Sequence, residues 1–499
     1  MDLTKTVVID YGASNTVAYV MKKEETLIQF NGEAELRSTL RYQSGRFMVG
    51  VPPSSAKGNA IVLHSTKLLL GMSYDEYLDS DLVNADFGCE VVCGMDNQPC
   101  FKLTDDLLLT SEDVAFHIIR HVCEKAMEIL PGLSDVVLTI PGDYSLEQKE
   151  CLKNAVVRAG FRCVLLMNEV AAATYYYLST QHLSYSSYLV LDLGSHSTGY
   201  SIVRYSEAGI DVIETRRCAY LCGGSNNTRI LSSILSYLDK LGYSAADFNA
   251  DPRRLLQLLS LCDQMKIELS ENKKISADVP LFSGDRHIAF SLLNTQLHDL
   301  WAADCSSLAQ EVAFLTSTLQ PQIRKQLGVL AVGGEVKSPT VKALLQESFQ
   351  NRVVFPAALH CVAIGCLSYV SGLVNCKPLC SVVRRLPEDV GIGMDNMIVR
   401  RLLKRDTAIP CEATIDVEYV KCDNRIQTGV FTGLMNDDTC SVQECNFVEA
   451  VILPLSPLLK DSFLAVRMEI DVLGNTTLSV SNDDFQSTLC KRKLFSVLC

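Results

Sequence analysis

One pattern occurs twice in this chain, and it constrains the fold more than anything else in the sequence. Val7-Val8-Ile9-Asp10-Tyr11-Gly12-Ala13-Ser14-Asn15-Thr16 matches Leu189-Val190-Leu191-Asp192-Leu193-Gly194-Ser195-His196-Ser197-Thr198 in type at nearly every position. Each copy is a short apolar run that ends in Asp-x-Gly and continues into small polar residues. Such runs read as buried strands, and the glycine marks a turn. A duplicated half-domain would set two hairpins of this kind face to face. Each turn offers free backbone N–H groups suited to phosphate oxygens, and each carboxylate suits a water-coordinated Mg²⁺. A single hairpin is most simply an ordinary strand turn; the pair points to a nucleotide held between two lobes.

Around the two copies, strand-like runs alternate with helix-period segments from residue 1 to about 380, which predicts an α/β architecture. Asp135 to Ile140 reads as a strand and Leu146 to Ala159 as a helix. From about Pro387 the texture changes to Thr, Val and Ile runs. They are broken by turn signals at Asp423-Asn424, Asn436-Asp437-Asp438 and Leu473-Gly474-Asn475, which predicts a small all-β domain. The domains expected are therefore 1–380, a linker at 381–389, and 390–499.

Composition narrows the class. With 499 residues, 48% hydrophobic and 21% charged, the chain is long enough for several domains and is not disordered. A formal net charge of −13 argues against sequence-independent binding to nucleic acid. The apolar start, Val7 to Ile9, is bracketed by acidic residues and lacks a signal-peptide core, so a cytoplasmic protein is expected. The window Phe355 to Val374 is the most apolar, but it holds His360, Ser368 and Tyr369 and reads as a buried helix, with no membrane span expected. The 20 cysteines include no CxxC pair; CxxxC spacings at Cys89/Cys93, Cys218/Cys222 and Cys376/Cys380 match no zinc template, which leaves free thiols.

Further candidates are Gly-Gly turns, at Cys222-Gly223-Gly224-Ser225 and after the strand Leu330-Ala331-Val332 at Gly333-Gly334-Glu335, where backbone can approach a ligand closely. His117 and His121 share a helix face at a metal-binding spacing, but no HExxH pattern accompanies them and a partly buried face is the simpler reading. His196, inside the second turn, either contacts phosphate or crowds its pocket.

Taken in order, Asp10-Tyr11-Gly12, Ile140-Pro141-Gly142-Asp143-Tyr144, Asn168-Glu169-Val170-Ala171-Ala172-Ala173, Asp192-Leu193-Gly194, Gly223-Gly224 and Val332-Gly333-Gly334 resemble the heat-shock protein 70 chaperones. Cys262 to Ser270 resembles their adenosine-contacting helix. Arg405-Asp406-Thr407-Ala408-Ile409-Pro410 and Met468-Glu469-Ile470-Asp471 resemble landmarks of their substrate domain. The resemblance covers nearly the whole chain. It implies an α/β fold in which a two-lobed actin-like ATPase domain is followed by a small β-sandwich, with ATP or ADP and Mg²⁺ as cofactors. Lys67, Glu169 and Asp192 would be catalytic. Asp10, Gly12, Ala13, Ser14, Gly194, Ser195, Ser197, Gly223, Gly224, Asp263, Lys266, Ser270, Gly333 and Gly334 would bind nucleotide, and Asp10 and Asp192 would hold Mg²⁺ through water.

The chain also departs from the family pattern. Ala13 stands where the family has Thr, Gly199 where it has Asp, Val170 where it has Pro, and Ile267 where an Arg stacks on adenine. The linker Val382-Val383-Arg384-Arg385-Leu386-Pro387-Glu388-Asp389 departs from the family's apolar leucine run with an acidic end, and too little chain follows Val480 for a helical lid. Losing one group that orients charge at a reacting phosphate typically costs about 10²–10³ in rate. The resemblance therefore points to a lidless, ribosome-associated type that binds ATP but hydrolyses it poorly. Such a type works with a J-domain protein of the zuotin kind on nascent polypeptides at the ribosome. An autonomous ATP-hydrolysing chaperone without its lid, and a small-molecule kinase of the actin-like fold, are the alternatives.

Overall fold

The computed structural model describes residues 2–496 apart from 56–58, 181–184, 208, 245–251, 282–286, 326, 376, 387, 395–396, 406, 410, 419–424, 434, 436, 455–462, 471–474 and 483–487. Several sequence landmarks lie outside the described residues. These are Cys376, Pro387, Asp406, Pro410, Asp423-Asn424, Asn436, Asp471 and Leu473-Gly474. The chain divides into two compact units. One comprises Met1–Asp143, Cys151–Cys163 and Met167–Ser381; the other comprises Tyr144–Glu150, Val164–Leu166 and Val382–Cys499.

Within the first unit the repeated pattern builds the same local arrangement twice. Strands β1 (Thr6–Tyr11), β2 (Asn15–Met21), β3 (Glu25–Leu27) and β4 (Asp135–Ile140) lie in the order β4-β1-β2-β3. A second sheet runs β9-β8-β5-β6-β7, from β5 (Ser187–Leu193), β6 (Thr198–Ser206), β7 (Gly209–Cys218), β8 (Gly328–Val332) and β9 (Val353–Val354). β1 is antiparallel to β2 and parallel to β4, and β5 is antiparallel to β6 and parallel to β8. A strand covered on both faces must be apolar along its whole run. Val7, Val8, Ile9, Val190 and Leu191 are accordingly fully buried. The mixed α/β architecture, with two sheets of matching pattern, is that of the actin-like ATPase fold.

Helices cover these sheets: α1 (Ser111–Ile129), α2 (Glu169–Thr180), α3 (Gly223–Lys240), α4 (Pro252–Leu269), α5 (Asn294–Ser317) and α6 (Cys361–Val374). Thr110 and Asp113 form a reciprocal capping box at the start of α1. His117 and His121 on that helix rest against the rings of Phe47 and Phe30, with centroids 4.5 and 6.3 Å apart. Trp301 of α5 is fully buried and donates its indole N–H to Asn226 O at 3.3 Å. Cys123, Cys262 and Cys361 fill the interior as small hydrophobes, and burial pushes their thiols up to about 12.

The apolar window of the sequence becomes α6, which packs on α2. The contact is close because both helices carry small residues: a Cβ on Gly365 would lie 2.1 Å from Ala172 O. From the same α2, Tyr177 donates its hydroxyl to Ala331 O at 2.9 Å, tying the helix to β8. Among the described residues, no helix is long and apolar enough to cross a membrane.

The second unit is built mostly of strands. A five-stranded sheet is ordered β14-β11-β10-β13-β15, from β10 (Asp389–Met394), β11 (Ile398–Leu403), β13 (Arg425–Gly433), β14 (Thr439–Ser441) and β15 (Asn446–Pro454). A four-stranded one is ordered β12-β16-β17-β18, from β12 (Cys411–Glu418), β16 (Phe463–Ile470), β17 (Asn475–Asn482) and β18 (Thr488–Ser496). Both sheets contribute to one core, in which Val390, Ile392, Val430, Val466, Met468 and Leu478 are buried. Asp389, buried at the start of β10, accepts the backbone N–H groups of Arg405 and Met435.

Gly365→Val forces a branched side chain between α2 and α6. Overpacking of this kind costs about 1–3 kcal/mol. Urea denaturation of the first unit's transition is expected to show that loss as a lower midpoint with an unchanged slope.

Candidate functional site

The strand ends bring three carboxylates to one place. Asp10 lies near the end of β1, where Thr139 of the parallel neighbour β4 donates its hydroxyl to Asp10 Oδ1 at 2.7 Å. Asp192 occupies the matching position in β5, and Glu169 opens α2. Burial raises the pKa of all three, Asp10 and Asp192 above their ordinary value and Glu169 to about 7.

Two cations offset that charge. Lys67 is buried; its Nζ donates to Tyr11 O at 2.5 Å and lies 3.5 Å from Glu169 Oε1. Arg217 forks onto Asp143 through Nε (2.5 Å) and Nη2 (2.7 Å), and its Nη1 donates to Ser197 Oγ at 3.2 Å. Burial opposes the charge on Arg217, but Asp143, with Glu169 and Asp192 beyond it, holds the guanidinium firmly protonated.

The turns close alike. Gly12 N–H donates to Asn15 O at 3.0 Å, and Gly194 N–H to Ser197 O at 3.1 Å. Ser14 O accepts Ser38 N–H at 2.7 Å, while Ala13 brings no side-chain donor. The start of α3 docks on the second turn: Gly223 N–H donates to Gly194 O at 3.0 Å and Gly224 N–H to Ser195 O at 2.6 Å. Those two amides are engaged with the turn rather than held open. At the third glycine element, Gly333 has φ +95°, and a Cβ there would meet Leu193 O at 2.3 Å and Asp192 Oδ1 at 2.8 Å. Gly334 faces open space.

Asp263, Lys266 and Ser270 lie on and just beyond α4. Lys266 Nζ donates to Glu335 Oε1 at 2.7 Å and sits 3.3 Å from Asp263 Oδ1. Glu335 is buried and also accepts Asn226 Nδ2 at 2.6 Å. Burial works against the Lys266 ammonium, and the Glu335 and Asp263 carboxylates more than restore it. Ser270 donates its hydroxyl to Lys266 O at 3.2 Å. Ile267 points outward, 60% exposed.

Sequence reasoning did not single out four residues that shape this site. Arg217 and Glu335 are described above; Glu335 directly follows a Gly-Gly turn and could have been suspected from that position. Ser65, at φ 57°, hydrogen-bonds His196 Nε2 at 2.7 Å, and Ser195 Oγ meets His196 Nδ1 at 2.8 Å. His196 therefore bridges the second turn to the segment carrying Lys67, and burial, with His64 nearby, lowers it to about 4, so it is neutral. Glu35 accepts from Lys337 Nζ at 2.6 Å and Asn15 Nδ2 at 2.8 Å and lies 3.4 Å from His360 Nε2. It ties the first turn to the third glycine element.

Comparison with known proteins now bears on this arrangement. The family model described as Hsp70 protein matches residues 6–454. The chain belongs to the Hsp70 family. Similar relatives include a chaperone protein dnaK of Cyanidioschyzon merolae, 23% identical over 497 residues, covering 96% of this chain and 79% of that protein. Another is a chaperone protein HscA of Citrobacter koseri, 25% identical over 484 residues, covering 95% of this chain and 75% of that protein.

Hsp70 proteins bind ATP or ADP with Mg²⁺, so both can be tested against these residues. The nucleotide's phosphates fit, because paired turns and the open face of Gly334 converge where polyanion charge would lie. Magnesium would be held through water, as the carboxylates of Asp10 and Asp192 allow, and not by a full set of protein ligands. Among the described residues, no group of three or more His, Cys, Asp or Glu side chains is arranged to hold a metal ion. Asp10 Oδ1 is already hydrogen-bonded to Thr139, and Arg217 neighbours Asp192.

Two predictions follow from this geometry. Gly333→Val is expected to abolish the calorimetric heat of ATP binding and to lower the melting temperature, whereas Gly334→Ala leaves the melting temperature in place. The contacts of Glu35, first His360 and then Lys337, hold its carboxyl down at about 2 against the usual 4.5. A depressed carboxylate stabilises the fold above its ordinary value and loses that contribution as pH falls through the native one. The melting-temperature gap between wild type and Glu35→Gln should thus be largest above pH 4.5 and close as pH approaches 2.

Proposed function

We propose that this Hsp70-family protein is an atypical cytosolic chaperone component that binds ATP or ADP but hydrolyses ATP poorly. In this reading it acts with a J-domain partner of the zuotin type, at the ribosome, in nascent-chain folding. The observation that carries it is the row Asp192, Gly199 and Arg217 across β5, β6 and β7, in which Gly199 offers no side chain between the other two. Both phosphate turns persist, so binding survives, while the groups that would orient an attacking water at Ala13 and Gly199 are missing. A subunit that need not cycle has no use for those groups, which supports a stable, partner-bound role.

A second reading, an autonomous ATP-hydrolysing chaperone, is favoured by Glu169. Held at about 7 and 3.5 Å from Lys67, it could take or give a proton near neutral pH. Single-turnover hydrolysis separates the two. The wild type is expected to turn over very slowly, and Ala13→Thr with Gly199→Asp to raise the rate. Space allows the second change, since a Cβ at Gly199 would lie 3.8 Å from Asp192 Cβ. A wild-type rate that the double variant does not exceed would favour the autonomous chaperone. The partner is tested by tagged pull-down, gel filtration and ribosome sedimentation at low salt, because stable complexes commonly bury ~1,200 Å² or more and survive such steps. Recovery as a lone monomer would remove the J-domain and ribosome role.

A further inference from the structure

We propose that Cys440 and Cys445 are a reversible dithiol–disulfide site in the second unit, one that a low-molecular-weight disulfide oxidises within a single chain.

Four residues separate these cysteines in the sequence, and the fold closes the gap. Cys440 stands in β14, the strand at one edge of the five-stranded sheet, where it pairs with Val399 of β11. Cys445 directly precedes β15, the strand at the other edge. Between them Val442–Glu444 make one short 3-10 turn. Ser441 Oγ accepts Gln443 N–H at 3.3 Å and Cys445 N–H donates to Val442 O at 3.3 Å, so the connection folds back on itself. The two sulfurs end 3.0 Å apart. A disulfide bond is about 2 Å long, so they need to approach by only about 1 Å.

Neighbours hold the thiols in that arrangement. Cys440, Val442 and Cys445 pack on a small cluster of Val399, Phe431 and Met435. The chain leading into β14 is tied to β11: Arg401 N–H donates to Asp438 O at 2.8 Å, and the Arg401 guanidinium donates to Met435 O at 2.9 Å. Closing the ring therefore orders little chain that is not already ordered, which favours the internal bond over one to an external thiol. Access separates this pair from the thiols of the first unit's interior. Cys440 and Cys445 are each half-buried, whereas Cys123, Cys262 and Cys361 are buried and held as thiols by that burial.

The step balances with the external disulfide alone. One cysteine thiolate attacks a sulfur of that disulfide, breaks its S–S bond and expels one small thiol, which leaves a mixed disulfide. The second cysteine attacks the protein sulfur of the mixed disulfide and expels the other small thiol. The two protein thiols give up two electrons and two protons, which leave on the two small thiols. An excess of reduced small thiol runs the exchange backwards.

The test equilibrates the full-length protein with oxidised glutathione, traps remaining thiols with N-ethylmaleimide in denaturant, and maps tryptic peptides by mass. No Lys or Arg lies between Arg425 and Lys460, so both cysteines fall on one peptide that holds no other cysteine. The expected result is a wild-type peptide lighter by two hydrogens, which takes up maleimide only after reduction and then at both cysteines. In Cys440→Ser, Cys445 is expected to keep a glutathione, because the thiol that would displace it is gone. A wild-type peptide that takes up maleimide at both cysteines without reduction would overturn the proposal. So would one that carries glutathione without the internal bond, or one linked through these cysteines to a second chain. The wild-type map needs no variant, so a failure of Cys440→Ser to fold leaves the proposal open to refutation.

Discussion

Asp10, Glu169 and Asp192 are held together in one buried place, and the rest of the first unit is arranged to make that tolerable. An isolated buried carboxylate is costly unless it is paired, hydrogen-bonded or protonated. This protein uses all of these means. Thr139 bonds Asp10, Lys67 lies between Tyr11 O and Glu169, Arg217 faces Asp192 across Gly199, and Glu169 is pushed towards neutrality. The two sheets supply the carboxylates because each ends a fully buried strand in Asp-x-Gly, and α2 supplies Glu169 because it starts at that level.

The same economy of charge appears at the other end of the site. Lys266 and Glu335 form a buried pair with Asn226 completing the carboxylate's bonds. Breaking such a pair from one side typically costs about 3–5 kcal/mol, because the remaining charge is stranded. Lys266 is thus committed to a partner within the chain, and its contribution to a nucleoside would come through that pair. His196 behaves similarly. Of its two sequence readings, contact with phosphate or crowding of the pocket, the structure shows a neutral ring held between Ser65 and Ser195.

Much of this was legible in the sequence. The α/β class followed from alternating strand and helix signals, and the repeated Asp-x-Gly runs became matching strand pairs in two sheets. The apolar window became α6, its length and polar residues having pointed to a buried helix. Arg217 was not legible, for a physical reason. Its position opposite Gly199 depends on pairing register, and a shift between Ile202 and Val203 lies between the β6–β7 turn and that pair. Counting back from the turn without that irregularity puts a different residue beside Gly199. Ser65 and Glu35 were invisible for another reason: each acts through partners far away in sequence, which composition and spacing do not reveal.

The central claim is that the two hairpins and the Gly333 turn close on one nucleotide. Amide hydrogen exchange with and without ATP tests it most directly, since it reads each turn separately in the intact chain. The account predicts that ATP slows exchange together in the segments around Gly12–Ser14, Gly194–Ser197 and Gly333–Gly334. Protection in only one of these segments, or in none of them at saturating ATP, would contradict it.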